Sequence, residues 1–459
     1  MTSGQCLIKP TDISLQYHKA KMSHSDIEPG SPESRGRRRR LRACQECDWV
    51  VALPGLRPGE VAVCPRCHHT LIKRHFRPVQ RSMAFAISAL IALLLAVTYP
   101  FVSYAALGVG QNIQLSQTAT QLLSFDQPFM AILVSLTIVI LPALYLICVI
   151  WLQAGLLRGV PLAYSRQIAR SLKHLHAWMM ADVFIIGALV SLFKISGSAD
   201  VYLGVGFWSF CSFAVLLLLT MRSLDDDWLW FSLAGEPLAP EGTKTGQTAA
   251  SQQLTGCTTC GLLQRLPAVG VAHCERCGER LRRRLPQSLQ RTWALLIAAC
   301  VLYIPANVYP IMYSTRLGQT QANTIIGGVV DLINGGSWPI ALIIFTASII
   351  VPVGKILALG WLCLRLGKNN EITHRSRIRL YRLIEFIGRW SMVDVFVVAI
   401  LVALIRAGNL MSISPGPAAL AFALVVVLTM LAAISFDPRL IWDKSTEQSN
   451  QVFKDPLHE

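Results

Sequence analysis

Charge is what this sequence has least of. Charged residues fill 15% of 459 positions, against about 25% in soluble domains. That shortage excludes an ordinary soluble globular chain, because hydrophobic residues at 53% leave too little polar surface to cover them. Acid is scarcer than base, 26 Asp and Glu against 42 Lys and Arg, for a net charge of +16. Sparse, basic charge fits cytosolic loops beside anionic lipid, so no nucleic-acid partner is expected. The one dense basic run, Arg35 to Arg42, is read as a positive-inside signal. A Walker A phosphate loop is missing, which excludes an ATPase within these residues. No hydrolase or transferase constellation stands out, and the chain is not read as an enzyme. No signal peptide is recognised; residues 1–42 are expected to be a disordered basic tail, with Met22 an alternative start.

Long apolar runs are what the sequence has in abundance. Eight are near the roughly 20 residues that cross a bilayer, at 83–106, 129–153, 178–197, 203–222, 292–313, 338–364, 388–407 and 417–436. Lys and Arg alternate between the loops. Loop 107–128 has none and loop 314–337 only Arg316, while 154–177 and 365–387 carry several each. By the positive-inside rule the basic loops and both termini are cytosolic.

An internal repeat runs through the chain. Cys44 and Cys47 recur as Cys257 and Cys260, Tyr99-Pro100 as Tyr309-Pro310, and Trp178, Met180, Asp182 and Phe184 as Trp390, Met392, Asp394 and Phe396. Each half begins and ends on the cytosolic side, so the repeat is parallel. The expected fold is an all-α polytopic membrane protein of eight transmembrane helices. They form two repeated four-helix units, 80–230 and 288–443, each preceded by a small cytosolic zinc ribbon, 43–76 and 257–280. Residues 231–256 are read as a linker and 444–459 as a C-terminal tail.

Eight of thirteen cysteines sit in four CxxC pairs: Cys44, Cys47, Cys64 and Cys67, then Cys257, Cys260, Cys274 and Cys277. Two such knuckles with a short spacer close a tetrahedral thiolate site. A reducing cytosol favours metal over disulfide. Zinc in two structural sites is expected, with iron and electron transfer as the alternative. His68, His69 and His273 adjoin ligands but are not needed to complete either set.

Ionisable residues inside a span are costly and mark candidate sites. Lys355 and Asp394 fall at similar depths in the sixth and seventh spans, with Ser348, Ser391 and Thr429 near the same level. A Lys355–Asp394 pair supported by these hydroxyls is expected, either as a proton-coupled site or as a structural ion pair. Pro352, one turn before Lys355, is expected to free a carbonyl. The first half keeps Asp182 as counterpart of Asp394 but has Tyr145 where Lys355 would fall, so any working pair belongs to the second half. Glu385 with Arg389 is read as an interfacial i,i+4 pair at the inner boundary, and Lys194 and Arg406, counterparts in the repeat, as residues that snorkel at the outer boundary.

The motifs CQECDWVVALP (44–54), CPRC (64–67), YIPANVYPIM (303–312), SIIVPVGK (348–355), FIGRWSMVDVFV (386–397) and FDPRLIWD (436–443) resemble, in order, those of the paraquat-inducible protein A family, which includes the lipophilic envelope-spanning tunnel A proteins. The resemblance covers nearly all of the chain after residue 43. It implies a bacterial inner-membrane subunit that works with a periplasmic MCE-domain protein to move phospholipid or other hydrophobic molecules between membranes, supporting envelope integrity. It also implies a polar network at Ser348, Lys355, Ser391, Asp394 and Thr429. A passive scaffold anchoring an MCE ring is the remaining alternative.

Overall fold

The computed structural model describes residues 6–10, 40–106, 109–124, 127–196, 200–266, 272–316, 319–366, 371–404, 406–407 and 411–443. The first half holds helices α1 (Pro78–Thr98), α2 (Leu115–Ser124), α3 (Pro128–Ser135), α4 (Leu141–Leu157), α5 (Ser165–His176), α6 (Ala181–Ser196), α7 (Val205–Ser223) and α8 (Asp226–Ala234). The second half holds α9 (Ser288–Val308), α10 (Ile325–Asn334), α11 (Trp338–Phe345), α12 (Val351–Leu364), α13 (Glu371–Gly388), α14 (Val393–Leu404) and α15 (Pro417–Ser435). Among the described residues, seven helical stretches are long and apolar enough to cross a membrane. The protein is a multi-pass membrane protein.

The eighth expected span, 388–407, is different. Its helix α14 has 12 residues, about 18 Å at 1.5 Å per residue, short of a roughly 30 Å hydrocarbon layer. Residues 391–402 are all buried. It lies against α6, with the Phe184 and Phe396 rings 5.6 Å apart. Gly187 lets the two backbones close: a Cβ there would stand 3.0 Å from that of Phe396. Hydropathy alone cannot separate a lipid-facing span from a helix buried between two halves, which is why the sequence reads both alike.

Two spans carry the same defect. A π-helical turn, Leu136–Ile140, joins α3 to α4, and another, Thr346–Ile350, joins α11 to α12. Pro142 and Pro352 follow them, and a proline lacks the N–H that would hold the preceding turn.

The all-α expectation needs correction at the end of the molecule away from the ribbons. Helices α1 and α9 stop at Thr98 and Val308, because the residue before a proline is driven extended, here Tyr99 and Tyr309 with ψ of 155° and 157°. The spans expected to reach 106 and 313 turn instead into strands. Pro100–Ala106 pairs antiparallel with Val109–Gln114 and Asp200–Leu203. Met312–Arg316 pairs with Gln319–Asn323 and Met411–Pro415, and the last of these with Arg406–Ala407. Gln319–Asn323 and Met411–Pro415 are too polar for a hydropathy reading to mark, whereas apolar Pro100–Ala106 reads as the end of a span.

Two boundary readings also change. Residues 231–256 are not a free linker: α8 occupies the start, and Val50 N–H donates to Gln247 O at 2.8 Å and Ala249 N–H to Asp48 O at 2.8 Å. Leu254 joins Leu41, Val50 and Leu263 in a small core. Within the expected disordered tail, Leu7–Pro10 pairs with Glu60–Val63. Residues 1–5, 11–39 and 444–459 lie outside the described residues, as do the side chains of Arg389, Lys194 and Arg406.

Candidate functional site

Each CxxC pair sits on a tight knuckle. The N–H of the residue after the second cysteine donates back to the first: Asp48 to Cys44 O at 2.9 Å, His68 to Cys64 O at 2.9 Å, Gly261 to Cys257 O at 3.0 Å and Gly278 to Cys274 O at 2.8 Å. All four donors have positive φ, from 58° to 74°. Ribbon two meets that requirement with glycine, ribbon one with Asp48 and His68. The knuckles bring the sulfurs together. Cys44–Cys67 and Cys47–Cys64 stand at 3.5 and 3.6 Å, and Cys257–Cys277 and Cys260–Cys274 at 3.5 and 3.4 Å. In each cluster the ligand atoms all lie within 4.8 Å of one another. A disulfide needs about 2.05 Å; the edge of a tetrahedron with 2.3 Å zinc–sulfur bonds is about 3.8 Å. The two buried clusters therefore fit a metal ion each.

An arginine ties the knuckles of each ribbon. Arg66 and Arg276 occupy the same place in their CxRC motifs and donate to Cys47 O at 3.5 Å and Cys260 O at 3.0 Å. The histidines face elsewhere: His69 Nδ1 lies 2.9 Å from Glu46 Oε1, and His273 Nδ1 3.2 Å from Gly278 O.

The ribbons cross over. The cysteines of ribbon one pack with Leu362, Ile378, Tyr381, Phe436 and Trp442, all from the second half. Arg66 lies 4.4 Å from the Trp442 ring and 4.8 Å from the Trp49 ring. Ribbon two packs into the core of the first half, and Arg170 on α5 donates to Gly278 O at 3.4 Å. The last arginines of the basic run are engaged within the chain. Arg40 pairs with Glu236, and Arg42 donates to Leu71 O at 3.1 Å.

The intramembrane candidates Ser348, Lys355, Ser391, Asp394 and Thr429 are all buried. Lys355 Nζ donates to Thr429 Oγ1 at 3.0 Å and to Gly388 O at 3.4 Å. Among the described contacts, Lys355 thus meets a hydroxyl on α15 and the backbone carbonyl that ends α13. Asp394 occupies the first turn of α14, just as half-buried Asp182 occupies that of α6. The carbonyl of Ser348 has lost its helical donor to Pro352. The hydroxyl of Tyr303, on α9, stands 3.5 Å from it, while Ser348 Oγ donates to Ile344 O at 2.6 Å. Sequence reasoning missed Tyr303 and Gly388. The first lay unmarked within YIPANVYPIM, and the second acts through its backbone, which no side-chain pattern announces.

At the repeat offset the first half answers this polar group with apolar residues. Leu93, Ile138, Met179 and Leu217 stand for Tyr303, Ser348, Ser391 and Thr429, and Tyr145 for Lys355. All five are buried in the core of the first half.

The model of the family described as "Paraquat-inducible protein A" matches residues 79–234 and 289–446. "Intermembrane transport protein PqiA" of Escherichia coli (strain K12) is 40% identical over 408 residues, covering 89% of this chain and 97% of the relative. "Lipophilic envelope-spanning tunnel protein A" of the same organism is 30% identical over 412 residues, 90% of this chain and 93% of the relative. A "Probable intermembrane transport protein" of Haemophilus influenzae is 30% identical over 411 residues, 88% and 96% respectively. Two of these relatives are named as intermembrane transport proteins and the third as a tunnel protein, none as an enzyme. No solved structure matches the chain.

Proposed function

This chain belongs to the paraquat-inducible protein A family, and from that premise we propose that it is the inner-membrane subunit of an intermembrane transport system for lipids or other hydrophobic molecules. The names of its relatives support transport between membranes. In this reading α14, with the turn before it, is the eighth crossing, and both termini are cytosolic. The two sheets at the outer end form the surface that meets a periplasmic MCE-domain protein. Zinc is the metal assigned to each ribbon. Bound there, four thiolates leave it no open position, so it supplies fold rather than reaction chemistry.

One observation carries the proposal: a buried ammonium, a carboxyl and three buried hydroxyls, with half-buried Tyr303 beside Ser348, lie in the second half, where the first half has apolar side chains and Tyr145, and keeps only Asp182 of the charges. Burying such groups in a membrane-spanning bundle is expensive. A purely structural duplicate has no use for doing so in one copy alone. The geometry suits a site where cargo headgroups or protons meet Lys355 and Asp394 while acyl chains stay in the apolar surround.

The test is lipid crosslinking from photo-reactive residues on α9 to α15, in protein purified with its co-expressed MCE partner. Wild type is compared with Asp394→Ala. Crosslinks concentrated inside the second half and altered by the substitution are expected. Crosslinks no denser than on the outer surface, and unchanged in Asp394→Ala, would leave a scaffold that anchors its partner passively.

A further inference from the structure

Helix α13 connects a ribbon to the intramembrane site. It has 18 residues and ends at Gly388, whose carbonyl accepts from Lys355 at 3.4 Å. A single 3-10 turn, Arg389–Met392, leads from it to Ser391 and Asp394. The fit at that end is close: a Cβ on Gly388 would stand 3.4 Å from Lys355 Nζ. Arg382 lies six positions earlier, about 9 Å along the axis. It is gripped by ribbon one. Its Nε donates to Glu46 Oε1 at 3.0 Å and Oε2 at 3.1 Å, and its guanidinium also donates to Cys67 O at 2.9 Å. Glu46 lies between Cys44 and Cys47, and Cys67 belongs to the cluster itself. Both holds therefore depend on closed knuckles. The cytosolic grip and the Lys355 site are separated by less than two helical turns.

The first half repeats the arrangement with exchanged parts. Arg170 on α5 falls at the repeat offset from Arg382, and it is ribbon two that engages it, through Gly278 O at 3.4 Å and Glu279 at 3.7 Å. Helix α5 then leads to Asp182 at the start of α6. The crossover thus gives each ribbon the arginine of the helix that enters the central layer of the opposite half; on α5, Lys173 also donates to Thr258 O of ribbon two and, at 3.2 Å, to Gln45 of ribbon one.

We propose that ribbon one, closed on its metal, positions the intramembrane site of the second half: through Glu46, Cys67 and Arg382 it fixes α13, and so sets the Gly388 carbonyl and the Ser391–Asp394 turn beside Lys355. Arg382 and Glu46 are positioning residues for that site, and ribbon two does the same for α5. The proposal rests on the transport reading only for its functional consequence; the mechanical link stands or falls by itself.

The test is hydrogen–deuterium exchange on the full-length protein in lipid nanodiscs, with bound metal counted in parallel. Cys64→Ser with Cys67→Ser removes one metal. Exchange of amides 380–394 should then rise by about tenfold or more, while 165–176 stay protected. Cys274→Ser with Cys277→Ser should give the reverse. Arg382→Gln keeps both metals and both ribbons; it should loosen 380–394 alone, and Arg382→Lys should restore part of the protection. The proposal is overturned if 380–394 stay protected after ribbon one loses its metal. It is equally overturned if loosening follows sequence order, with ribbon one acting on 165–176. Should the cysteine variants fail to fold, unchanged exchange in Arg382→Gln overturns it. Lipid crosslinking on the Arg382→Gln protein keeps the two readings apart. Loosened 380–394 with unaltered crosslinking removes the transport role of the polar site and leaves the positioning intact.

Discussion

Gly416 has no side chain because there is no room for one. A Cβ at this N-cap of α15 would stand 2.1 Å from the carbonyl oxygen of Pro310, and Gly204 meets Pro100 O at the same distance. Both glycines seat a helix start on the strand that follows a Tyr-Pro pair. Gly416→Ala should therefore force the strand away from the helix and lower stability by about 1–3 kcal/mol. Gly328→Ala, inside α10 with nothing within 4 Å, should be neutral or stabilising by about 0.5–1 kcal/mol. Thermal unfolding in one detergent compares them. Single residues were also where the sequence spoke most clearly. The cysteine clusters were legible because ligand spacing is local. Lys355 and Asp394 were legible because an ion in an apolar run stands out. Thr429 was legible as a hydroxyl at the same level; Gly388 was not, since the reach of a backbone carbonyl to Lys355 depends on how two separate helices are rotated.

The exit of α15 is held to the entry of α9 by one carboxylate. Asp437 accepts from Arg439 Nε and NH2, both at 2.9 Å, from Arg439 N–H at 3.0 Å and from Leu285 N–H at 3.1 Å. Burial by itself would push this carboxyl up; the hydrogen bonds and charge of Arg439 outweigh it and hold the group below the usual carboxylate range. A folded-state value below the unfolded one means that the stabilisation is fully present above the unfolded value of about 3.9 and is lost as pH falls through the folded one. Asp437→Asn should cost about 3–5 kcal/mol at pH 7, because it leaves a buried guanidinium without its anion. The gap to wild type should narrow toward pH 3, as read from melts at both pH values. Glu46 shares the trend outside the membrane: burial opposes its charge, yet hydrogen bonds from His69 and Arg382 hold its carboxyl low. Elements were legible where hydropathy marks them, as in α7 and α15. They were hidden where polar strands pair across the chain, as Met312–Arg316 does with Met411–Pro415.

The two halves meet along α6 and α14. Ser191 Oγ reaches Val397 O at 3.3 Å, and Phe184 faces Phe396. Gly187→Leu would drive a side chain into Phe396 and the Val393 carbonyl. It should destabilise the protein by about 1–3 kcal/mol and split one melting transition into two, visible by calorimetry. The repeat in the sequence announces two similar halves but says nothing of how they join, because an apolar helix reads the same whether it faces lipid or its own copy. Nor does it announce the exchange of ribbons, which has a consequence in time. Glu46 and Arg382 are 336 positions apart. At about 5–20 residues per second, the first ribbon leaves the ribosome roughly 20 to 70 seconds before its seat exists. Through that interval it must endure as a tiny autonomous domain in the cytosol, with its capture of metal as the main thing keeping it folded, so loading has to precede docking.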